Sequence, residues 1–273
     1  MADLHRLKPL RYRTVWISDV HLGTRSCKAD YLLDFLDSVQ CDYLYLVGDI
    51  VDLLAMQKGF YWPQVHNDVI RAILGKARYG TRVVLVPGNH DELMRSYQGE
   101  VFGNIDIQRT VIHETHLGKR LLVIHGDEFD GMLKCPKITE WAGAVSYELL
   151  LFLNRTYNSI RCQMGKDYWS LSSYIKSRIN SANRHIAAYE NVVADYARKC
   201  GVDGVVCGHI HQPRLKQVGD IMYCNDGDWV EHCTALVESP EGHISLLYWD
   251  NLQKPMDMVQ DSKIMVARET AVC

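Results

Sequence analysis

Five short apolar runs constrain this chain more than any other feature. Thr14-Val15-Trp16-Ile17, Tyr43-Leu44-Tyr45-Leu46-Val47, Val83-Val84-Leu85-Val86, Leu121-Leu122-Val123-Ile124 and Val202 to Cys207 are each too short for a helix and rich in β-branched or aromatic residues. Such runs predict buried strands. Helical patterns lie between several of them, notably Ala29 to Val39 and Gln64 to Tyr79. Strands alternating with helices predict an α/β fold in which a sheet is covered on both faces. After Gly208 the texture changes to short alternating runs, Ile221 to Cys224, Cys233 to Val237 and Ile244 to Trp249, separated by Gly, Asn and Asp. These predict a second, largely antiparallel sheet packed against the first.

The ends of the five runs carry the chemistry. Ile17 is followed by Ser18-Asp19-Val20-His21, Val47 by Gly48-Asp49, Val86 by Pro87-Gly88-Asn89-His90-Asp91, Ile124 by His125-Gly126-Asp127, and Cys207 by Gly208-His209-Ile210-His211. In open α/β sheets, sites form beyond the carboxyl ends of the strands, where residues distant in sequence converge. Asp19 and His21 are two apart, as are His209 and His211. That period puts both members of each pair on one side of an extended segment. A single Gly-Asp after a strand is ordinarily a turn and a single His ordinarily hydrogen-bonded or solvated. Five polar strand ends in succession point to one site instead. Carboxylate, amide oxygen and imidazole together suit Mn, Fe or Zn, whereas an all-oxygen cage suits Mg or Ca.

Composition bounds the rest. With 273 residues, 47% of them hydrophobic, the chain can bury one large core, and we expect a single domain over residues 1–273. The formal charge of -3 gives no general attraction to nucleic acid, and no nucleic-acid partner is expected. Nine cysteines without a CxxC pair argue against a disulfide framework and a structural zinc site, and suit reduced thiols in the cytoplasm. No apolar run approaches the length of a membrane span, and the N-terminus lacks the apolar segment of a secretory signal. Residues 132 to about 200 hold long helical patterns such as Val145-Leu149-Leu150-Phe152-Leu153 and no strand signal, which predicts a helical insertion. It carries ten Lys or Arg against five acids while the whole chain is -3, so charge is unevenly divided. Trp62, Trp141 and Trp169 are expected to anchor packing, and the histidines at 5, 66, 113, 116, 185, 232 and 243 to be structural or superficial.

The ordered blocks Asp19-x-His21, Gly48-Asp49, Gly88-Asn89-His90-Asp91, His125 and Gly208-His209-x-His211 resemble those of the calcineurin-like metallophosphoesterases, over about residues 14 to 240. The resemblance implies a four-layer αββα sandwich with two divalent metal ions, Mn foremost. It implies that Asp19, His21, Asp49 and His211 hold the first ion, that Asp49, Asn89, His125 and His209 hold the second, and that Asp49 bridges them. Two ions about 3.5 to 4 Å apart can deprotonate a bridging water, orient a phosphoryl group and neutralise the entering and leaving oxygens. The implied reaction is hydrolysis by metal-bound hydroxide. His90 would contact the phosphoryl oxygens or protonate the leaving group. Asp52 matches an acid that orients this histidine in relatives; read from its own surroundings it is equally a solvated acid at a helix start.

Within that family the chain is most similar to the UDP-2,3-diacylglucosamine pyrophosphatases of lipid A synthesis. Leu46-Val47-Gly48-Asp49, His125-Gly126-Asp127 and Gly227-Asp228-Trp229 are the shared phrases, together with a helical lid between the His125 and His209 blocks. Those proteins have arginine where this chain has His90, which brings Gly88-Asn89-His90-Asp91 closer to the general family. A basic lid with apolar faces suits a substrate with acyl chains and a diphosphate. The expectation is a cytoplasmic enzyme acting on a small-molecule or lipid-linked phosphoester, with peripheral contact at the inner membrane through the insertion. Two other readings stand beside it: a soluble phosphodiesterase or phosphatase acting on nucleotides or phosphoproteins, and a scaffold of the same fold without catalysis.

Overall fold

A computed structural model describes residues 9–132, 157, 161 and 180–249 of the chain. Strand β1 (Leu10–Ile17) leads to helix α1 (Ala29–Ser38), which passes without a loop into β2 (Val39–Leu46). Helices α2 (Leu53–Lys58) and α3 (Gln64–Arg78) precede β3 (Arg82–Leu85). A 3-10 turn over Glu92–Tyr97 then leads to β4 (Val101–Phe102), β5 (Ile105–Ile107), β6 (Val111–Glu114) and β7 (Arg120–Val123). A second 3-10 turn, Asp127–Met132, is followed by α4 (Asn180–Lys199), β8 (Gly204–Cys207), β9 (Arg214–Val218), β10 (Ile221–Asn225), β11 (Thr234–Glu238) and β12 (Ile244–Tyr248).

The strands form two sheets, one ordered β12-β11-β1-β2-β3-β5-β4 and the other β6-β7-β8-β10-β9. Alternation along each strand explains how they stack, because successive side chains point to opposite faces. Ile17, Leu44, Leu46 and Val83 pack on α1 and α3. Leu122, Ile124, Val205 and Tyr223 pack on α4 with Tyr189 and Val193. The intervening residues of both sheets, among them Trp16, Tyr45, Val84, Val123, Val206, Cys224 and Leu236, meet in a third cluster between the sheets. Three apolar layers separated by two sheets make the predicted αββα sandwich. At the end of the sandwich opposite the strand carboxyl ends, buried Glu238 accepts from Thr14 Oγ1 (2.6 Å), from Arg13 (2.9 Å) and from the backbone of His116 (2.7 Å), and lies 3.2 Å from His113.

The allocation of strands differs from the sequence expectation. The five ligand-bearing strands do not share one sheet: β1, β2 and β3 lie parallel in the larger sheet, β7 and β8 parallel in the smaller. Nor do the strands after Gly208 form a sheet of their own, since β11 pairs antiparallel with β1 while β10 pairs parallel with β8. Every central strand is covered on both faces, so hydrophobic pattern alone carries no information on which sheet it joins. Of the insertion expected at 132–200, α4 is helical; the remainder apart from positions 132, 157 and 161, including Trp141 and Trp169, lies outside the described residues. Trp62 packs on the α1–α3 side of the large sheet and donates to Asn67 (3.0 Å).

Candidate metal centre

The parallel strands of both sheets deliver their carboxyl ends to one place. Asp19 and His21 follow β1, Asp49 follows β2, Asn89 and His90 follow β3, His125 follows β7, and His209 and His211 follow β8. Five of these residues, Asp19, His21, Asp49, His209 and His211, hold φ between 51° and 68° without being glycine. Left-handed backbone at non-glycine residues costs about 1–3 kcal/mol each and persists where the surroundings over-determine it, commonly at functional sites. Asp19/His21 and His209/His211 therefore do not lie along extended segments as their spacing suggested; left-handed backbone in tight loops sets their direction instead.

Ligating atoms of Asp19, His21 and His211, of His21, Asp49 and His90, and of Asp19, Asp49 and His125 lie within 4.8 Å of one another in each trio. Asp49 stands at the middle: its Oδ2 is 3.5 Å from His125 Nε2, 3.8 Å from His21 Nε2 and 4.0 Å from His90 Nε2. The Oδ1 atom of Asn89 is buried without a hydrogen-bond donor among the described residues, as is His125 Nε2 without an acceptor. Orphaned buried polar atoms are costly and need a partner. An amide oxygen and an imidazole nitrogen beside clustered carboxylates are the donor set a divalent cation satisfies, so these residues fit the expected ions. Close approach of the loops requires glycine, most clearly at two positions between β2, β3 and β7. At Gly48 (φ 84°) a Cβ would strike His125, and at Gly88 it would strike Asp49 Oδ1 and lie 2.7 Å from His125 Nε2.

The electrostatics follow from this crowding. Burial would raise the Asp49 carboxyl, but His125, His21 and His90 outweigh it and hold Asp49 well below the usual carboxylate range. Burial likewise opposes a charge on His125, and Asp49, Asp19 and the Val47 carbonyl overcome it, pushing that imidazole up to about 10. The negative field that retains a proton there is the field a cation would neutralise.

Asp52 stands at a helix start but is buried rather than solvated, and it faces two histidines. As the residue capping α2, its Oδ1 accepts from Ala55 N (2.7 Å); the same oxygen lies 2.9 Å from His90 Nδ1, and Oδ2 lies 3.0 Å from His21 Nδ1. His90 itself sits at the rim, its side chain one-third exposed at 33%. Burial lowers its pKa, and the Asp52 hydrogen bond with the charges of Asp49, Asp52 and Asp19 more than reverses this.

Sequence reasoning missed the outer partners. Asp91 is buried and accepts from the backbones of Gly88 (2.6 Å), Ile50 (2.9 Å) and Asp49 (3.3 Å), tying the loop after β3 to that after β2. Arg95 donates to Pro87 O and to Asp127 (2.6 Å), tying the same loop to that after β7. Asp228, after β10, accepts from three backbone amides at Val230, Glu231 and His232 and pairs with His232 Nδ1 (2.5 Å), 3.9 Å from His211. His232 therefore braces the site from outside. The signal for Asp228 was present: Gly227-Asp228 follows a strand, as Gly48-Asp49 does.

The profile of the calcineurin-like phosphoesterase family matches residues 12–213. The DNA polymerase II small subunit of Methanothermobacter thermautotrophicus is 25% identical over 156 residues, which are 46% of this chain and 32% of that protein. The chain thus spans about a third of that relative's length. Similar solved structures include an archaeal phosphodiesterase (12% identity, covering 86% of this chain and 98% of that one, TM-score 0.43). Others are Yfce, a phosphoesterase from E. coli (15%, 86% and 97%, TM-score 0.38), and Vps29 from Entamoeba histolytica complexed with zinc (15%, 86% and 98%, TM-score 0.39).

Proposed function

The chain belongs to the calcineurin-like phosphoesterase family, and we propose that it is a binuclear metal-dependent hydrolase of a phosphoanhydride or phosphodiester, acting on UDP-2,3-diacylglucosamine or a similar UDP-linked lipid. The observation that carries the reaction class is the convergence of carboxylate and imidazole atoms of Asp19, His21, Asp49, His90, His125 and His211 on one spot, beside a loop whose His90 backbone donates to Asp49 Oδ1 (2.8 Å) and whose Asn89 amide oxygen is buried without a donor among the described residues. In this reading Asp19, His21, Asp49 and His211 hold one ion, and Asp49, Asn89, His125 and His209 the other, with Mn the favoured metal and Fe or Zn acceptable to the same donors. Bound ions would activate water and neutralise charge on the phosphoryl group.

The protein's own part is positional and protonic. Asp52 Oδ1, 2.9 Å from His90 Nδ1, pairs electrostatically with the ring and leaves Nε2 facing the centre, 4.0 Å from Asp49 Oδ2; the raised pKa supplies a proton there for a phosphoryl oxygen or a departing oxygen. Asp91 and Arg95 hold the loop carrying Asn89 and His90 against its neighbours. Beside Asn89 and His90 opens a groove of about 420 Å³, lined in part by Leu53, Leu54, Leu93 and Arg109. Gln57, Glu92, Arg95 and Ser96 complete the lining, so its walls mix apolar and charged groups, which suits an organic substituent on the phosphoester. Among the described residues no helix is long and apolar enough to cross a membrane. Contact with the inner membrane from the cytoplasmic side, through the basic segment at 132–200, belongs to the same proposal.

The test is Mn-supported release of UMP from UDP-2,3-diacylglucosamine, set against bis-p-nitrophenyl phosphate and a nucleotide panel, with and without detergent. Fast UMP release from the lipid supports the reading. Turnover of small esters with the lipid untouched retains the hydrolase and discards the lipid.

A further inference from the structure

The four candidate ligand histidines do not face the centre alike. His21 turns Nε2 toward Asp49 and Asp19 and gives Nδ1 to Asp52; His125 turns Nε2 toward Asp49 and gives Nδ1 to the Val47 carbonyl (2.8 Å); His211 lies with Nε2 3.2 Å from Asp19 and Nδ1 on the side of Asp228. His209 is reversed. Its Nε2 lies 2.9 Å from Asp130 Oδ2, while its ring sits 5.2 Å from that of His125, centroid to centroid. A carboxylate is an acceptor only, so the proton of the neutral ring must reside on Nε2 and the lone pair on Nδ1.

Asp130 is held where it is by its own turn. Phe129, next in the chain, is buried and packs edge-on against Tyr189 and Tyr196 of α4. Asp127 is clamped by Arg95, and Tyr189 Oη donates to Gly126 O (3.1 Å) at the start of the turn. With Phe129 and the start of the turn held, the Asp130 side chain projects from the 3-10 turn Asp127–Met132 to His209.

We infer that Asp130 is a positioning residue that fixes the Nε2-protonated form of His209, so that this histidine serves the second ion through Nδ1. The inference rests on His209 being a ligand, as proposed above. Outer carboxylates on ligand histidines commonly govern metal affinity by 10–100-fold. Because the Asp130 side chain is 57% exposed, the lower end of that range is expected.

The experiment is calorimetric titration of Mn into the full-length chain and its Asp130→Ala and Asp130→Asn variants, with thermal denaturation of the metal-free proteins as a folding control. Asp130→Ala should weaken the second ion about tenfold and leave the first unchanged. Asp130→Asn keeps an acceptor oxygen and should stay within about threefold of the unaltered chain. In the zinc-loaded, nitrogen-15-labelled protein, His209 should show a metal-shifted Nδ1 and a protonated Nε2. Unchanged affinity in Asp130→Ala, an Asn variant as weak as the Ala variant, or zinc on Nε2 would each overturn the inference. An unaltered chain that takes up no second ion would instead overturn the binuclear reading on which it stands.

Discussion

Replacing Asp52 by Asn separates its two duties. The Oδ1 atom caps α2 through Ala55 N and meets His90, while Oδ2 meets His21 Nδ1. Asn and Asp cap helices about equally well, so Asp52→Asn should change stability by only a few tenths of a kcal/mol, whereas Asp52→Ala loses the cap and about 1 kcal/mol. If the Asn oxygen stays with Ala55 and His90, its NH2 group faces His21 Nδ1–H, donor against donor. His21 then relieves the conflict by moving its proton to Nε2, which occupies the lone pair that faces Asp49 and Asp19. The expected cost is a 10–100-fold loss of affinity for the ion held by His21, or about 1.4–2.7 kcal/mol. Titration of Mn measures the affinity, and chemical denaturation in chelator measures the cap. An Asn variant that binds metal like the unaltered protein, or one destabilised as much as Asp52→Ala, would refute the reasoning.

Other outcomes follow from single contacts. Gly88→Ala needs no unusual backbone, yet its methyl group would meet Asp49 Oδ1 and His125 Nε2; metal content after dialysis should fall while the circular dichroism spectrum stays native. His90→Gln should retain both ions and lower kcat by about 10²–10⁴, and equal loss of metal and turnover would assign His90 to the ligands instead. Far from the site, burial would raise the Glu238 carboxyl, but hydrogen bonds from His113, Thr14, the His116 amide and Arg13 bring it from 4.5 down to about 2. A depressed folded-state pKa stabilises above the unfolded value and is lost as pH falls, so about 3 kcal/mol present above pH ~4.5 should fade toward pH ~2. Glu238→Gln should be less stable at pH 6 and lose less between pH 5 and 3; an acid limb as steep as that of the unaltered chain would contradict this.

The site was legible where chemistry and pattern coincide. Each candidate ligand lies within a few residues of the end of an apolar run, so residue type at the run ends pointed to Asp19, His21, Asp49, His125, His209 and His211 as one group, and the resemblance added Asn89 and the division into two ions, which remains a proposal. Helices α1 and α3 were legible to within a residue or so, their apolar faces being long enough to define a period. Assignment of β7 and β8 to a separate sheet was not, because strands buried on both faces read alike. The start of β2 was hidden as well, since Val39-Gln40-Cys41-Asp42 leaves α1 with no turn residue between them. Outer partners escaped for a different reason: Asp130 and His209 are 79 residues apart, and a lone acid in a turn has no pattern to mark it. The reversal of His209 is visible only in three dimensions.

Asp49 is the atom-by-atom centre of the account, since its carboxylate faces His21, His90 and His125 at once. The most direct test pairs metal analysis with Mn-dependent hydrolysis of bis-p-nitrophenyl phosphate in the unaltered protein and in Asp49→Asn. The account predicts two ions per chain and turnover in the first, and less than one ion with no turnover in the second. An Asp49→Asn protein that holds two ions and hydrolyses normally would contradict it, as would an unaltered protein that binds no metal and hydrolyses nothing.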